Sequence, residues 1–438
     1  MKIHFWNRIT LAIITILLVT SCSTNVHNLS LQEDNQEEGL QVAKTDAVGS
    51  LNPVQSTDPL DANEYTETTD LRNAPYTELP EKNRLIEEAE SSITLFSVGD
   101  IMVHQEQLDA AYQPETRSYH FNPSFSQVKP ILMQADIVMG NLETTLSGSE
   151  RTYSGYPEFN TPDSLVEALK DAGFTVVTTA NNHSLDRRNQ GVIRTREVLK
   201  QKNILSTGTF TSQEERDTPL LLQQNDIVIA FLSYTYGTNG IPLPKNKPFA
   251  VNLYQPQLVK QDIARAKSMG ADLVITSLHF GAEYQRLPNE EQKRMARETF
   301  EAGSDLIIGH HPHVIQPYEW LIEQKKDGPD RKGFVIYSLG NFISAQRWDY
   351  KDVGGILQVV ITKKGESTQI TQADFLPTYV HFFRKNNKRN YIIYPMEQIV
   401  KNHDKLKEMN MTQEVYANVS TMYTHINKHV SSLSAVKP

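Results

Sequence analysis

The sequence is nearly free of cysteine: Cys22 is the only one among 438 residues. A single cysteine cannot close an internal disulfide, and it excludes a zinc site built from cysteine thiolates. The chain also lacks an excess of positive charge, since 43 Lys and Arg stand against 52 Asp and Glu, for a formal net charge of −9. This balance gives no hint of a binding face for nucleic acid or anionic lipid, and we expect no nucleic-acid partner.

Near the N-terminus the chain has only a short apolar run, Leu11–Val19, which follows Lys2 and Arg8. The run is shorter than the roughly 20 residues of a membrane-spanning helix, so residues 1–21 are predicted to be a secretion signal. The Val-Thr-Ser-Cys sequence that ends at Cys22 resembles the lipobox of bacterial lipoproteins, which implies lipidation of Cys22. A plain signal peptide or an uncleaved anchor remains the alternative. Either way, we expect the folded part to lie outside the cytoplasm of a bacterium.

Residues 22–84 are rich in Asn, Gln, Glu, Asp, Thr and Ser and have few aromatic side chains. Such a composition cannot bury enough apolar surface to offset chain entropy, so we predict a disordered acidic linker that tethers a domain to the membrane. We predict one folded domain over residues 85–395. Residues 396–438 are polar and are predicted to form a helical C-terminal tail without recognisable chemistry.

The folded region is predicted to alternate strands and helices, beginning with a helix over Asn83–Ser91. Short apolar runs of strand length lie at Ile93–Val98, Asp136–Met139, Thr175–Thr178, Ile227–Ser233, Leu273–Leu278, Leu306–Ile308, Phe334–Tyr337 and Ile356–Ile361. Helical patterns lie at 161–173, Gln190–Lys202, Gln255–Met269 and Glu290–Ala302. Gln369–Phe375 and Tyr391–Ile393 are candidate late strands. This alternation predicts an α/β fold.

Six of the predicted strands end in a polar motif. The motifs contain Asp100, Glu143, Asn182 with His183, His279, His311 with His313, and Asn341. Because ligands of α/β sheets bind where the carboxyl ends of strands converge, six such ends predict one shared site. Carboxylate, amide and imidazole groups are ligands of Mn²⁺, Fe²⁺ or Zn²⁺, and the pair His311 and His313 could face two ions.

Each of these residues also has a structural explanation when taken alone. Asp100 could cap a helix, Glu143 could be a surface acid, and Asn182 could occupy a left-handed turn. His279 could be a hydrogen-bonded core histidine, and Asp186 could cap a turn or orient His183. The run Gly309–His313, with three histidines in four positions, favours a site more strongly than any single residue does.

The ordered motifs GDIM, NLE, ANNHSLD, HFG.E, GHHPHVIQP and SLGNF, within Ile93–Ser344, resemble those of the CapA-type poly-γ-glutamate capsule biosynthesis proteins. That family is similar to the calcineurin-like metallophosphatases, which implies a sandwich of two mixed β-sheets flanked by helices. It also implies two divalent ions and a role for each matching residue. The implied ligands are Asp100 and His313 for the first ion, Asn182, His279 and His311 for the second, and Glu143 between the two. The implied acid or orienting group beside the substrate is His183, held by Asp186.

The sequence departs from the phosphatase pattern at two positions. The first phosphatase motif is Asp-x-His, whereas Met102 stands in the place of its histidine and His104 comes two positions too late. The bridging carboxylate is Glu143 rather than an aspartate. One metal position could therefore be weak or empty, and fold alone does not establish phosphatase activity.

The leading hypothesis is a surface-anchored factor for the synthesis, export or anchoring of an anionic polymer such as poly-γ-glutamate, acting with a membrane polymer synthase complex. An extracellular metal-dependent hydrolase, acting on phosphoesters or γ-glutamyl bonds, is the second. A polymer-binding scaffold without catalysis is the third. The ligand set favours bound metal, and the missing histidine of the first motif keeps the scaffold hypothesis open.

Overall fold

The computed structural model describes residues 90–326 and 328–434. The predicted secretion signal, Cys22 and the predicted linker lie outside the described residues, as does most of the predicted opening helix. The helix prediction is wrong for Glu90 and Ser91, which begin the first strand. Ser92 to Val98 then pair continuously with a neighbouring antiparallel strand, so pairing within the sheet determines the conformation of this segment.

The described residues form sixteen strands, ten α-helices and three short 3-10 helices, of which the α-helices are numbered below. The strands are β1 (Glu90–Ile101), β2 (Tyr112–Gln113), β3 (Ser118–Tyr119), β4 (Ile137–Leu142), β5 (Val176–Thr178), β6 (Leu205–Thr207), β7 (Leu220–Gln224), β8 (Ile227–Thr235), β9 (Leu273–His279), β10 (Leu306–His310), β11 (Ile315–Glu323), β12 (Arg331–Leu339), β13 (Asn341–Ile343), β14 (Val353–Lys364), β15 (Ser367–Lys385) and β16 (Lys388–Pro395). The helices are α1 (Gln105–Ala111), α2 (Asn122–Phe125), α3 (Lys129–Leu132), α4 (Ser164–Asp171), α5 (Arg188–Gln201), α6 (Gln213–Asp217), α7 (Pro256–Ser268), α8 (Glu290–Glu301), α9 (Met396–Lys401) and α10 (Gln413–Val430).

The strands build two mixed sheets and one small hairpin, β2 with β3. The first sheet runs β16-β15-β14-β1-β4-β5-β6, with β13 also paired to β1, and the second runs β11-β12-β10-β9-β8-β7. Each sheet contains parallel pairs, such as β1 with β4 and β9 with β10, and antiparallel pairs, such as β14 with β15 and β11 with β12. The predicted α/β fold of two mixed sheets flanked by helices is confirmed.

The main apolar core lies between the two sheets. Leu95 and Ile137 from the first sheet share one buried cluster with Ile229, Ile275 and Ile308 from the second. The other faces of the sheets are covered by helices, since the next residues along the strands belong to separate clusters with α4 and with α7 and α8. Strands buried on both faces read as continuous apolar runs, which is why these segments were recognisable in the sequence.

The C-terminal residues pack onto this same core. Met396 and Ile399 of α9 and Met422 and Ile426 of α10 are buried in the cluster between the sheets. Thr412 caps the N-terminus of α10, since its hydroxyl accepts the backbone N–H of Val415. Within residues 90–326 and 328–434, none of the helices combines the length and apolar composition that a membrane crossing needs.

Candidate metal centre

Strand register brings the polar motifs to one edge of the two sheets. Asp100 is paired with Asn141 on one side and with Asn341 on the other. In the second sheet, His279 is paired with His310. The carboxyl ends of parallel strands therefore meet at one place, and they carry acids and amides from one sheet and histidines from the other.

The structure assembles the predicted ligand residues into two buried groups that share one carboxylate. Glu143, His279 and His311 form one group, and Asp100, Glu143 and His313 form the other, with ligand atoms within 4.8 Å of one another in each. A third group adds the exposed Glu283 to His311 and His313. This partition matches the two ion positions that the resemblance implied.

Glu143 occupies the position between the two groups. Its Oε1 lies 3.7 Å from Nε2 of His279 and 3.9 Å from Nε2 of His313. Asn182 adjoins the first of these groups, because its Oδ1 lies 3.0 Å from the same nitrogen of His279. All six residues that the sequence proposed as ligands are thus in or beside one cluster.

Burial sets the charge state of the cluster. Burial, together with the nearby charge of Asp100, raises the pKa of Glu143 well above its ordinary value. Burial also pushes the pKa of Asp100 upward, but the close contacts of His310 and His313 with its carboxylate outweigh this effect and hold that pKa well below its usual range. Burial lowers the pKa of His279 well below its ordinary value and that of His311 to about 3. The imidazoles of His279 and His311 are therefore neutral near pH 7, the form that binds metal.

Several buried atoms of the cluster have no hydrogen-bond partner among the described residues. They include Glu143 Oε1 and His311 Nδ1. An unpaired buried polar atom costs about 1–3 kcal/mol, so such atoms call for a partner. The ionised carboxylate of Asp100 presents negative charge, and Glu143 and the neutral imidazoles add a surplus of lone pairs. Divalent cations satisfy both, so the residues present fit a metal centre.

Asn141 supplies the donor that holds the two carboxylates together. Its Nδ2 lies 2.9 Å from Asp100 Oδ1 and 3.2 Å from Glu143 Oε2. Its Oδ1 in turn accepts a hydrogen bond from Nδ2 of Asn181, which fixes the orientation of the amide. A single amide thus spaces two acids that would otherwise repel each other in a buried site.

His183 and Asp186 lie beside the cluster and contact each other. Nδ1 of His183 lies 2.8 Å from Oδ2 of Asp186, and both side chains are buried. The same carboxylate oxygen accepts the backbone N–H of Phe159, whose ring packs edge-on against His183 with centroids 4.7 Å apart. These contacts fix the ring plane of His183 and direct Nε2, its other ring nitrogen, away from Asp186.

Two backbone features shape the edge of the sheets where the polar motifs meet. His311 and His313 have φ angles of 97° and 58°, in the left-handed region that L-residues seldom adopt, and such strain concentrates at functional sites. Gly99 allows close contact between chain segments, because a Cβ at this position would lie 1.9 Å from the carbonyl oxygen of Gly340. The N–H of Asp100 donates to that same oxygen at 2.9 Å.

Sequence reasoning left several residues of the centre without a role. Asn141 and Asn341 were recognised as parts of motifs only, and His310 was read as part of a histidine run. The sequence signal was limited to their position at predicted strand ends, and the structure adds that all three are buried. His104, by contrast, directly precedes α1 and lies outside the ligand groups, with its ring packed edge-on against Phe159.

The mouth of the site carries aromatic side chains from three loops. Tyr156, Tyr236 and Tyr284 are 74%, 49% and 47% exposed. The ring of Tyr236 lies 4.8 Å from that of His311, and the ring of Tyr284 lies 6.1 Å from that of His313. These exposed rings therefore adjoin the cluster, and they can stack on planar or apolar groups.

Comparison with known proteins gives a consistent family. The family model described as "Bacterial capsule synthesis protein PGA_cap" matches residues 94–346, which contain every proposed ligand. The chain is 33% identical over 273 residues to the PGA biosynthesis protein CapA of Bacillus subtilis (strain 168), covering 61% of this chain and 67% of that protein. It is 29% identical over 281 residues to the capsule biosynthesis protein CapA of Bacillus anthracis, covering 62% and 65%.

The chain thus spans about two thirds of the length of these curated relatives. Among solved structures, it is similar to the calcineurin-like phosphoesterase YfkN from Bacillus subtilis, with a TM-score of 0.39 and 13% identity. That similarity covers 77% of this chain and 98% of the other.

Proposed function

Because the chain belongs to the bacterial capsule synthesis protein family PGA_cap, we propose that it works in the synthesis, export or anchoring of an anionic capsule polymer such as poly-γ-glutamate. We propose further that it does so through a centre that holds two divalent ions, Mn, Fe or Zn. The observation that carries this proposal is the pair of buried ligand groups sharing Glu143.

The proposed roles follow the geometry of the two groups. Asp100, Glu143 and His313 would hold one ion, and Glu143, His279, His311 and Asn182 the other. Bound ions would supply Lewis-acid polarisation of a phosphoryl or carbonyl oxygen and would neutralise developing negative charge. The chain's own residues would bind the polymer end or the activated group and orient it toward the ions.

His183 is the residue proposed to move a proton at the site. Its Nδ1 hydrogen is directed to Asp186, so Nε2 would face the reacting group as acid or base. Burial raises the pKa of Asp186, although the hydrogen bond from His183 opposes this effect. Asp186 would act through the ring orientation of His183 rather than on the substrate itself.

The experiment that tests the capsule function is complementation of a strain that lacks this gene. Wild type, a His311→Ala, His313→Ala variant and a matched control with two exposed histidines replaced, His120→Ala, His403→Ala, would be compared for the amount and length of surface polymer. We expect the wild type and the control to restore the polymer and the site variant to fail. Unchanged polymer in the deletion strain would remove the capsule proposal, and full activity of the site variant would favour the scaffold hypothesis.

Surface anchoring through a lipid on Cys22 is part of the same proposal and rests on the lipobox resemblance alone. Metabolic labelling with a radioactive fatty acid should label the wild type and not Cys22→Ser. Labelling equal in both proteins would reject lipidation at this residue. A membrane polymer synthase is the proposed partner, and co-purification with that enzyme from membranes would test it.

A second candidate function, extracellular metal-dependent hydrolysis, is favoured by the oriented pair His183 and Asp186 beside the cluster. The purified Mn²⁺-loaded protein would be assayed with bis(p-nitrophenyl) phosphate, p-nitrophenyl phosphate and γ-glutamyl peptides. Turnover lost in His183→Ala, with metal content unchanged, would support hydrolysis. No turnover of any of these substrates by metal-loaded protein would count against it.

A further inference from the structure

Asn341 is a fully buried amide whose orientation is fixed by its own donors. Its Nδ2 donates to Oε1 of Gln346 at 3.1 Å and to the carbonyl oxygen of Lys351 at 2.8 Å. Both N–H groups are thus engaged on the side of the β13–β14 loop, so Oδ1 must point the other way. It points into the cluster, where it lies 3.1 Å from Nδ1 of His313.

Strand pairing places this oxygen beside Asp100. Asp100 and Asn341 are register partners in parallel strands, and the residue before each is a glycine. Asp100 Oδ2 lies 3.2 Å from the same His313 Nδ1 that contacts Asn341 Oδ1. One imidazole nitrogen, one carboxylate oxygen and one amide oxygen are therefore brought together.

These separations are those of ligands around one ion. Metal–ligand bonds of about 2.0–2.2 Å place adjacent ligand atoms of a tetrahedral or octahedral site about 3.0–3.5 Å apart. Asp100, Glu143 and His313 provide only three donors at this position, and Met102, buried two residues after Asp100, offers only a thioether. Mn²⁺ and Fe²⁺ favour nitrogen and oxygen donors, and an amide oxygen would provide a fourth protein ligand.

We propose that Asn341 Oδ1 is a ligand of the ion held by Asp100, Glu143 and His313. This inference rests on the proposed function, because it needs the metal centre. The competing explanation is that Asn341 only accepts a hydrogen bond from His313 and orients its ring, in which case Nε2 of His313 is the ligating atom. The two explanations differ in where the ion lies relative to Oδ1.

The first experiment measures metal binding by the full chain. Equilibrium dialysis against Mn²⁺ with elemental analysis would compare wild type, Asn341→Leu, which lacks the oxygen, and Asn341→Asp, which keeps one. Asn160→Leu is the matched control, since Asn160 is an equally buried amide that bonds to Ser147, Gly148 and Thr152 outside the cluster. Thermal unfolding in EDTA would check that each variant folds.

We expect two equivalents of bound Mn²⁺ per chain in the wild type, in Asn160→Leu and in Asn341→Asp. In Asn341→Leu we expect one equivalent, or affinity at one site weakened at least about tenfold. Two equivalents at wild-type affinity in Asn341→Leu would overturn the assignment. No metal in the wild type would instead overturn the proposed function, so the two failures are distinguishable.

The second experiment locates the ion and does not depend on any variant folding. An anomalous difference map from crystals of the Mn²⁺-loaded wild-type protein would give the distance from the ion to Asn341 Oδ1. A distance within about 2.4 Å establishes ligation. An ion bound to Asp100 and to His313 Nε2, with Asn341 Oδ1 more than about 3 Å away, rejects it in favour of the orienting role.

Discussion

Oδ1 of Asp100 lies 3.2 Å from Nδ1 of His310, on the carboxylate oxygen that also accepts from Asn141. His310 is fully buried, and neither of its ring nitrogens has a hydrogen-bond partner of good geometry among the described residues, so its contact with Asp100 is electrostatic. The carboxylate of Asp100 is thus held from one side by His310 and from the other by His313. The contact with His310 is made by Oδ1, whereas Oδ2 faces His313 and accepts the backbone N–H of His311 at 3.3 Å.

Replacing His310 should therefore weaken the metal position that contains Asp100. We expect His310→Phe to lower Mn²⁺ affinity there by about 10–100-fold, because a residue that orients a ligand is worth this much. Binding of Mn²⁺ at the other metal position should be unchanged. Calorimetric titration with Mn²⁺ measures both sites, and His120→Phe, at an exposed position, is the control. Equal loss at both sites would contradict a role limited to Asp100.

Glu143→Gln should weaken metal binding and, at the same time, stabilise the metal-free protein. Removing the shared carboxylate should abolish at least one equivalent of metal, because this side chain belongs to both ligand groups. The metal-free protein should become more stable, by about 1–2 kcal/mol, because a buried acid with a raised pKa beside Asp100 is costly. Thermal unfolding in EDTA measures the stability of the metal-free protein, and thermal unfolding with Mn²⁺ measures the stabilisation by bound metal. A lower unfolding temperature of Glu143→Gln than of the wild type in EDTA would show that the buried acid does not destabilise the metal-free protein.

Asp186→Asn should lower activity while leaving metal content unchanged. The asparagine keeps an acceptor for the N–H of Phe159 but cannot hold the Nδ1–H of His183 as a carboxylate does. We expect a loss of about 10–100-fold in polymer formation or in turnover of bis(p-nitrophenyl) phosphate. Nitrogen NMR of labelled histidine should show a changed tautomer balance at His183. Loss of metal in this variant would point to a structural role instead.

The sequence contained enough information to find the buried central strands, but not the edge strands β6, β7 and β11 or the way the strands meet. The eight runs from Ile93–Val98 to Ile356–Ile361 were recognisable because strands buried on both faces are continuously apolar. The late strands were placed only in part, since β15 spans Ser367–Lys385 and its first half is largely exposed. An exposed strand segment has no hydrophobic pattern in the sequence. The length of β15 is set instead by its pairing with β14.

The same distinction applies to the site. Asp100, Glu143, His279, His311 and His313 were predicted because each ends a strand with a ligand-type side chain. The roles of Asn141 and Asn341 could not be read from the sequence, because an amide has a donor end and an acceptor end. Only the three-dimensional contacts show which end faces the cluster.

Gly99→Ala should disrupt the edge of the first sheet. A Cβ at position 99 would fall 1.9 Å from the carbonyl oxygen of Gly340, so β1 and the β12–β13 junction would have to separate. We expect a loss of about 3 kcal/mol or more in the free energy of unfolding, together with loss of metal, because Asp100 and Asn341 would move apart. Gly237→Ala is the control, since nothing lies within 4 Å of its added Cβ. Urea unfolding measures both variants, and equal stability would show that the strands can separate at little cost.

The acid stability of the metal-free protein should depend on His104. Burial lowers the pKa of this histidine to about 4, and its Nδ1 accepts the N–H of Ala345 at 3.4 Å, which protonation would prevent. Since the folded-state pKa lies below the unfolded value of about 6.5, the contribution of His104 to stability is fully present above pH 6.5. It is lost as the pH falls from 6.5 to 4, by at most about 3 kcal/mol. His104→Gln should flatten this part of the curve of unfolding free energy against pH, measured in EDTA, whereas the exposed His403→Gln should not. An unchanged slope in His104→Gln would show that His104 is already free to take up a proton in the folded state.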